Sequence, residues 1–327
     1  MAALSGRGHA RRWMSRVGWL VLIWAVSVTA LGAAAWLMKW LMRAGGLTSR
    51  GAPPSPRALP KVQPPHRCRK TLSPSIAMIS DTPDLHIDGA IATVTLRRPA
   101  QANRLTAEDL ERLGALIVDV NARDDVLVLQ LRGAGKYFCS GYDIASIGGG
   151  RRIDFAEVVD ALEAARPVTI AVLHGGVYGG ATDLALACDF RVGTHGIDMF
   201  MPAARLGLHY YRSGLERYVT RLGLDNAKRL FLTAQKIDAV EMMRIGYLTH
   251  LVDAARLDAE VQDLSNACAS MAPIPLLAMK QHLNRIARGT LDAQALQADI
   301  ARAYQSDDLR EGQRAWAEKR VPRFVGK

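Results

Sequence analysis

Hydrophobic and polar positions alternate from Leu85 to Leu96 (LHIDGAIATVTL), interrupted by a turn at Asp88-Gly89, and this two-residue period predicts strand. Thr106, with Asp109 three residues later, has the pattern of a capping box and predicts a helix running to about Asn121. Largely apolar runs at Val126–Leu131 and Val168–Leu173, each with one polar residue (Gln130, Thr169), have strand length. Each leads into a glycine-bearing turn and then a short helical pattern. Beyond Gly214 the pattern becomes helical, with stretches at 214–222, 238–245, 257–271, 274–288 and 291–320 and few strand signals. Residues 81–256 therefore read as a strand–helix core of α/β class and 257–327 as a helical C-terminal region.

The beginning of the chain follows another pattern. Val17 to Met38 is a run of 22 residues without a charge, flanked by tryptophans near both ends. As a helix it would extend about 33 Å, enough to cross a bilayer core. Residues 1–50 thus read as a basic leader with a candidate membrane anchor at 17–42. Residues 51–80, which contain Pro53, Pro54, Pro56, Pro60, Pro64 and Pro65, read as an extended linker. The competing reading is an upstream extension ahead of a start at Met78. If the anchor is real, basic residues between Arg43 and Lys70 mildly favour a cytoplasmic body.

The chain has 327 residues and a formal net charge of +11, yet the positive excess is confined to the leader and linker together. The first 80 residues hold twelve basic and no acidic side chains, leaving 30 basic against 31 acidic residues in the remainder. A nucleic-acid-binding body is disfavoured, because its electrostatic footprint would have to lie on the domain itself. Cys68, Cys139, Cys188 and Cys268 are widely spaced, with no CxxC and no histidine at metal-ligand spacing. That is the pattern of a reduced, intracellular protein.

Two turns carry candidate chemistry. The first is Lys136-Tyr137-Phe138-Cys139-Ser140-Gly141-Tyr142-Asp143; the second is His174-Gly175-Gly176-Val177-Tyr178-Gly179-Gly180-Ala181-Thr182-Asp183. Glycines just before a helix let a ligand approach free backbone N–H groups, and the helix dipole favours negative charge there. Two such turns on neighbouring strands can aim two N–H groups at one oxygen, as in an oxyanion hole. Neither turn has a nucleotide-binding fingerprint.

In this order, about 40 residues apart, the two segments resemble the signature loops of the crotonase superfamily, the enoyl-CoA hydratase/isomerase family. The resemblance extends through Leu96-Arg97-Arg98-Pro99, Asn103-Arg104-Leu105, Leu232-Thr233-Ala234, Gly246-Tyr247-Leu248 and Glu318-Lys319-Arg320, covering nearly all of 83–327. It implies a repeated β-β-α spiral core and a C-terminal helical region that assembles trimers or hexamers. It implies an acyl-CoA substrate and no separate cofactor, since coenzyme A arrives with the substrate.

By motif position, the resemblance places the oxyanion donors at the N–H groups of Ser140 and Gly180, with Gly141, Tyr142, Asp143 and Gly179 around the substrate. It places Asp183 where hydratases carry their first catalytic glutamate, one helical turn beyond Gly180. The second hydratase glutamate follows a proline; here that proline is Pro202 and the next residue is Ala203, which cannot transfer a proton. Hydration divides its work between two carboxylates, whereas a 1,3-proton shift can use one base that removes and returns the same proton. The pattern thus favours double-bond isomerisation. Hydration, thioester hydrolysis and a catalytically silent acyl-CoA-binding protein are the alternatives. His209, Tyr210 and Tyr211 replace a glycine-rich stretch of hydratases and are further polar candidates, and Lys280 resembles a family lysine near the coenzyme A phosphates.

Overall fold

Strand β1 (Asp84–Asp88) turns at Gly89, which adopts φ +55°, and returns as β2 (Ile91–Leu96) in an antiparallel hairpin. The structure, a computed structural model, describes residues 81–143 and 154–327. The leader, its anchor segment and the proline-rich linker lie outside these residues. Among the described residues no helix is long and apolar enough to cross a membrane.

From β2 the main sheet continues in parallel through β3 (Val128–Gly133), β4 (Val168–Leu173), β6 (Phe190–Thr194) and β9 (His250–Val252). A smaller sheet joins β5 (Val177–Tyr178), β7 (Asp198–Phe200) and β8 (Ile237–Asp238). The pleat of β4 shows why the runs at 128–131 and 168–173 are apolar apart from Gln130 and Thr169. Ala171 and Leu173 enter the main core, while Ile170 and Val172 enter a second cluster on the opposite face. A strand covered on both faces has no polar side to alternate with.

Helix α1 (Ala107–Asn121) begins at the predicted capping box, where the Thr106 side chain accepts the Asp109 N–H and Asp109 accepts the Thr106 N–H at 2.8 Å. It packs on the main core with α2 (Phe155–Glu163) and α3 (Gly180–Ala187). After α4 (Arg212–Leu222), α5 (Leu224–Thr233) and α6 (Ala239–Arg244), helix α7 (Leu257–Ala269) covers the other face of the sheet. Its Leu257 and Val261 join Val128, Ile170, Val172 and Val192 in the second cluster. Helix α7 therefore belongs to the sheet body, and an exposed apolar C-terminal surface begins only with α8 (Pro273–Ala287).

Two details depart from the sequence pattern. Helix α5 was not expected; it starts directly after Gly223, whose φ of +80° reverses the chain between two helices. The single helix expected over 291–320 is α9 (Ala293–Gln305) and α10 (Asp307–Glu318). Ser306 breaks it by taking an extended backbone and capping α10, its hydroxyl accepting the Leu309 N–H at 3.1 Å.

Candidate active site

The first glycine-bearing loop is braced from below by residues 102–105. Asn103, buried and at φ +51°, donates its side-chain amide to the carbonyls of Ala134, Tyr137 and Phe138 at 2.8, 2.9 and 3.1 Å. The Ser140 N–H donates to the Ala102 carbonyl at 2.9 Å. That donor is committed to the fold, which corrects the expectation that it stands free at the oxyanion position. Leu105 donates to the Gly141 carbonyl and accepts from the Asp143 N–H, both at 2.9 Å. These two bonds make Leu105 and Tyr142 partners in a parallel bridge.

The second loop lies against the first through main-chain contacts. Cys139 and Val177 form a bridge in which Tyr178 donates to the Cys139 carbonyl at 3.0 Å. The approach is so close that a Cβ on Gly175 would sit 2.0 Å from the Lys136 carbonyl oxygen. One on Gly141, already at φ +97°, would lie 2.7 Å from the Tyr178 carbonyl oxygen and 3.0 Å from the Gly180 nitrogen. Glycine is required at both positions. Gly179 donates to the Phe200 carbonyl at 3.0 Å, and Gly180 opens α3 with its N–H without an acceptor among the described residues. The Gly180 nitrogen and the Gly141–Tyr142 peptide are thus neighbours at one point.

That point faces a cavity of about 600 Å³ bordered by Ser140, Tyr142, Gly179 and Gly180. Phe155, Met201, Pro202, Ala203 and Tyr211 supply much of the remaining wall. Asp183 is not on that surface. It is fully buried, with Arg217 Nη1 2.7 Å from Oδ2 and the Tyr211 hydroxyl donating to the same oxygen. Its Oδ1 has no partner among the described residues. Burial pushes its carboxyl up from the ordinary range, against Arg217 and Tyr211, which both favour the anion. Arg217, itself without exposure, also binds Asp160 at 2.6 Å and Glu163 at 3.0 Å. Arg217 and Arg288, by contrast, outweigh burial at Glu163 and hold that carboxyl below its usual range.

The remaining expected site residues divide. His209 borders the cavity from an exposed position, its Nδ1 2.8 Å from the Tyr210 carbonyl oxygen. Asp143 does not border the cavity and lies 3.6 Å from Arg104. Lys280 lies in a different cavity, its ammonium 2.8 Å from Asp189 and bound to the Pro167 carbonyl. It forms no part of the pocket at Gly180. Sequence reading named Tyr211 only as one of several polar groups and gave Arg217 and Phe155 no role. The separation of 34 residues between Asp183 and Arg217 offers no local signal; only the packing of α3 on α4 brings them together.

Comparison with known proteins agrees with this architecture. The family profile described as enoyl-CoA hydratase/isomerase matches residues 86–327, and a profile described as a protein of unknown function (DUF2474) matches 11–49. The chain is 29% identical over 246 residues to a short-chain-enoyl-CoA hydratase from Clostridium acetobutylicum, covering 72% of this chain and 94% of that protein. It is 26% identical over 253 residues to a carnitinyl-CoA dehydratase from Proteus mirabilis, covering 73% and 96%. Among solved structures, an enoyl-CoA hydratase/carnithine racemase from Magnetospirillum magneticum superposes with TM-score 0.71 at 27% identity, covering 76% and 97% of the two chains. On the fold, the paired loops and these matches, the chain belongs to the enoyl-CoA hydratase/isomerase family of the crotonase superfamily.

Proposed function

We propose that the protein binds an acyl-CoA thioester with its carbonyl oxygen at Gly180, stabilises the derived enolate, and shifts a double bond by moving one proton. The observation that carries this is the Gly180 N–H at the head of α3, open to the cavity beside the Gly141–Tyr142 peptide. An enolate oxygen bears charge only after the proton leaves, so a donor fixed beforehand favours that state over the bound substrate. With Ser140 committed to Ala102, Gly180 is the donor on which this reading rests, as one member of an oxyanion pair. Removing one donor of such a pair typically costs roughly 2.7–4 kcal/mol.

Ala203 supports isomerisation over hydration: it borders the cavity and brings no carboxylate to activate a water. The names of the relatives, a hydratase and a dehydratase, favour hydration as the second reading. One assay separates them. The full chain is incubated with trans-3-hexenoyl-CoA and with trans-2-hexenoyl-CoA, and products are resolved by chromatography and mass. Conversion between the two without mass change supports isomerisation; addition of water to the 2-enoyl thioester, with no interconversion, refutes it in favour of hydration. Release of free coenzyme A would indicate hydrolysis, and binding without any conversion a silent binder.

The reading extends to assembly. Met279, Leu283 and Ile286 are 58%, 65% and 55% exposed at helical spacing on α8, a stripe suited to a second copy of the chain.

A further inference from the structure

Asp183 occupies the position expected of the acid/base, yet it is fully buried and does not border the cavity. Tyr211 does border it, and its hydroxyl donates to Asp183 Oδ2. The phenol is held rigidly. Its ring stacks on Tyr210 with centroids 4.6 Å apart and meets Phe155 edge-on at 6.0 Å. The carboxylate behind it is equally fixed. Arg217 Nη1 binds the same Oδ2 at 2.7 Å, and Gly214 leaves the necessary room, since a Cβ there would lie 2.9 Å from Oδ2 and 2.4 Å from Tyr210 Cε1.

Resting on the enolate reading above, we propose that Tyr211 is the catalytic residue that touches the reacting proton, and that Asp183 is the positioning residue that exchanges a proton with it from behind. The substrate Cα–H bond breaks as the Tyr211 oxygen takes that proton. The phenol's own proton passes to Asp183, and the C–H electron pair enters the enolate, whose oxygen lies at the Gly180 N–H. Return of a proton from Tyr211 to the γ-carbon, with the Asp183 proton moving back to the phenol, completes the double-bond shift. No charge accumulates on the phenol. This fits a ring that burial and the neighbouring Asp183 both hold strongly in the neutral form. Asp183 in turn has an oxygen, Oδ1, with no partner among the described residues, and burial that favours its protonated state. The charged and titratable groups around it are Tyr210 and Tyr211 ahead of α4, Arg217 and Tyr218 on α4, Glu163 on α2, and Tyr247 between α6 and β9.

The test measures exchange of α-protons of butyryl-CoA and octanoyl-CoA in heavy water across a pH series, using the full chain. Tyr211→Phe keeps the ring and its stacking. It is expected to lower exchange at least about a hundredfold at every pH, as loss of a general acid/base does, while the affinity for butyryl-CoA stays nearly unchanged. Replacing Tyr211 by 3-fluorotyrosine retains size and lowers the phenol pKa, and is expected to move the pH–rate profile. A Tyr211→Phe protein that keeps most of its exchange, with only its acidic limb displaced, overturns the proposal and assigns direct contact to Asp183. Should Tyr211→Phe not fold, an unmoved profile in the fluorotyrosine protein overturns it equally. A parent protein that binds both thioesters but exchanges neither refutes the enolate reading and the relay with it, a result distinct from an active parent with an active variant.

Discussion

Ala203 borders the cavity with 4% of its surface exposed, and its carbonyl accepts the Leu208 N–H at 2.9 Å. Its side chain is therefore fixed at the wall where a hydratase holds a second carboxylate, by the resemblance drawn from Pro202 onward. Ala203→Glu is expected to confer modest hydration of crotonyl-CoA, followed as loss of the conjugated enoyl absorbance. The gain is limited because Tyr142 and Tyr211 share the cavity, and because burial raises the pKa of an added carboxylate and costs stability. Efficient hydration by the parent would show that Ala203 is no handicap. At this scale the sequence pattern reached Gly180 and Ala203 by motif position alone. It did not foresee that the Ser140 N–H is taken up by the Ala102 carbonyl, because that bond joins segments 38 residues apart and no local pattern announces it.

Among the elements, α1 and β4 were predictable to within the residue, since a capping box and an apolar run of strand length are local signals. Strands β5, β7, β8 and β9 have two or three residues each and no period to detect. The segment 102–105 is similar: nothing in Asn103 itself announces a brace, yet three carbonyls of the first loop depend on it. Asn103→Ala would leave those buried acceptors short of a donor and place a Cβ-bearing residue without polar compensation at φ +51°. A loss on the order of 2–4 kcal/mol is expected from the two effects together, measured by urea unfolding. Asn103→Gly relieves the backbone cost and should recover part of it; identical losses in both variants would remove the backbone contribution from the account.

For the molecule as a whole, the sequence boundary at 257 does not coincide with a physical one, because α7 seals the second face of the main sheet. The surface available for self-association starts at α8, where Leu283 is 65% exposed. Leu283→Glu is expected to lower the mass measured by light scattering from a trimer or hexamer toward one chain while leaving far-UV circular dichroism intact; a parent that is already monomeric at micromolar concentration excludes assembly through this face. Helix α8 is also tied to the site, since Arg288 binds Glu163, which binds Arg217, which binds Asp183. The two glycine-bearing loops, by contrast, are hydrogen-bonded to each other through their peptide groups, so close that a Cβ on Gly175 would sit 2.0 Å from the Lys136 carbonyl oxygen. The bonds that hold these loops together are thereby separate from the side chains that shape the rest of the cavity. The side chains of Tyr142, Phe155, Met201 and Ala203 can each be exchanged without rewriting a hydrogen bond between the loops, so a lineage carrying this scaffold can reshape its cavity while the paired loops are inherited unaltered.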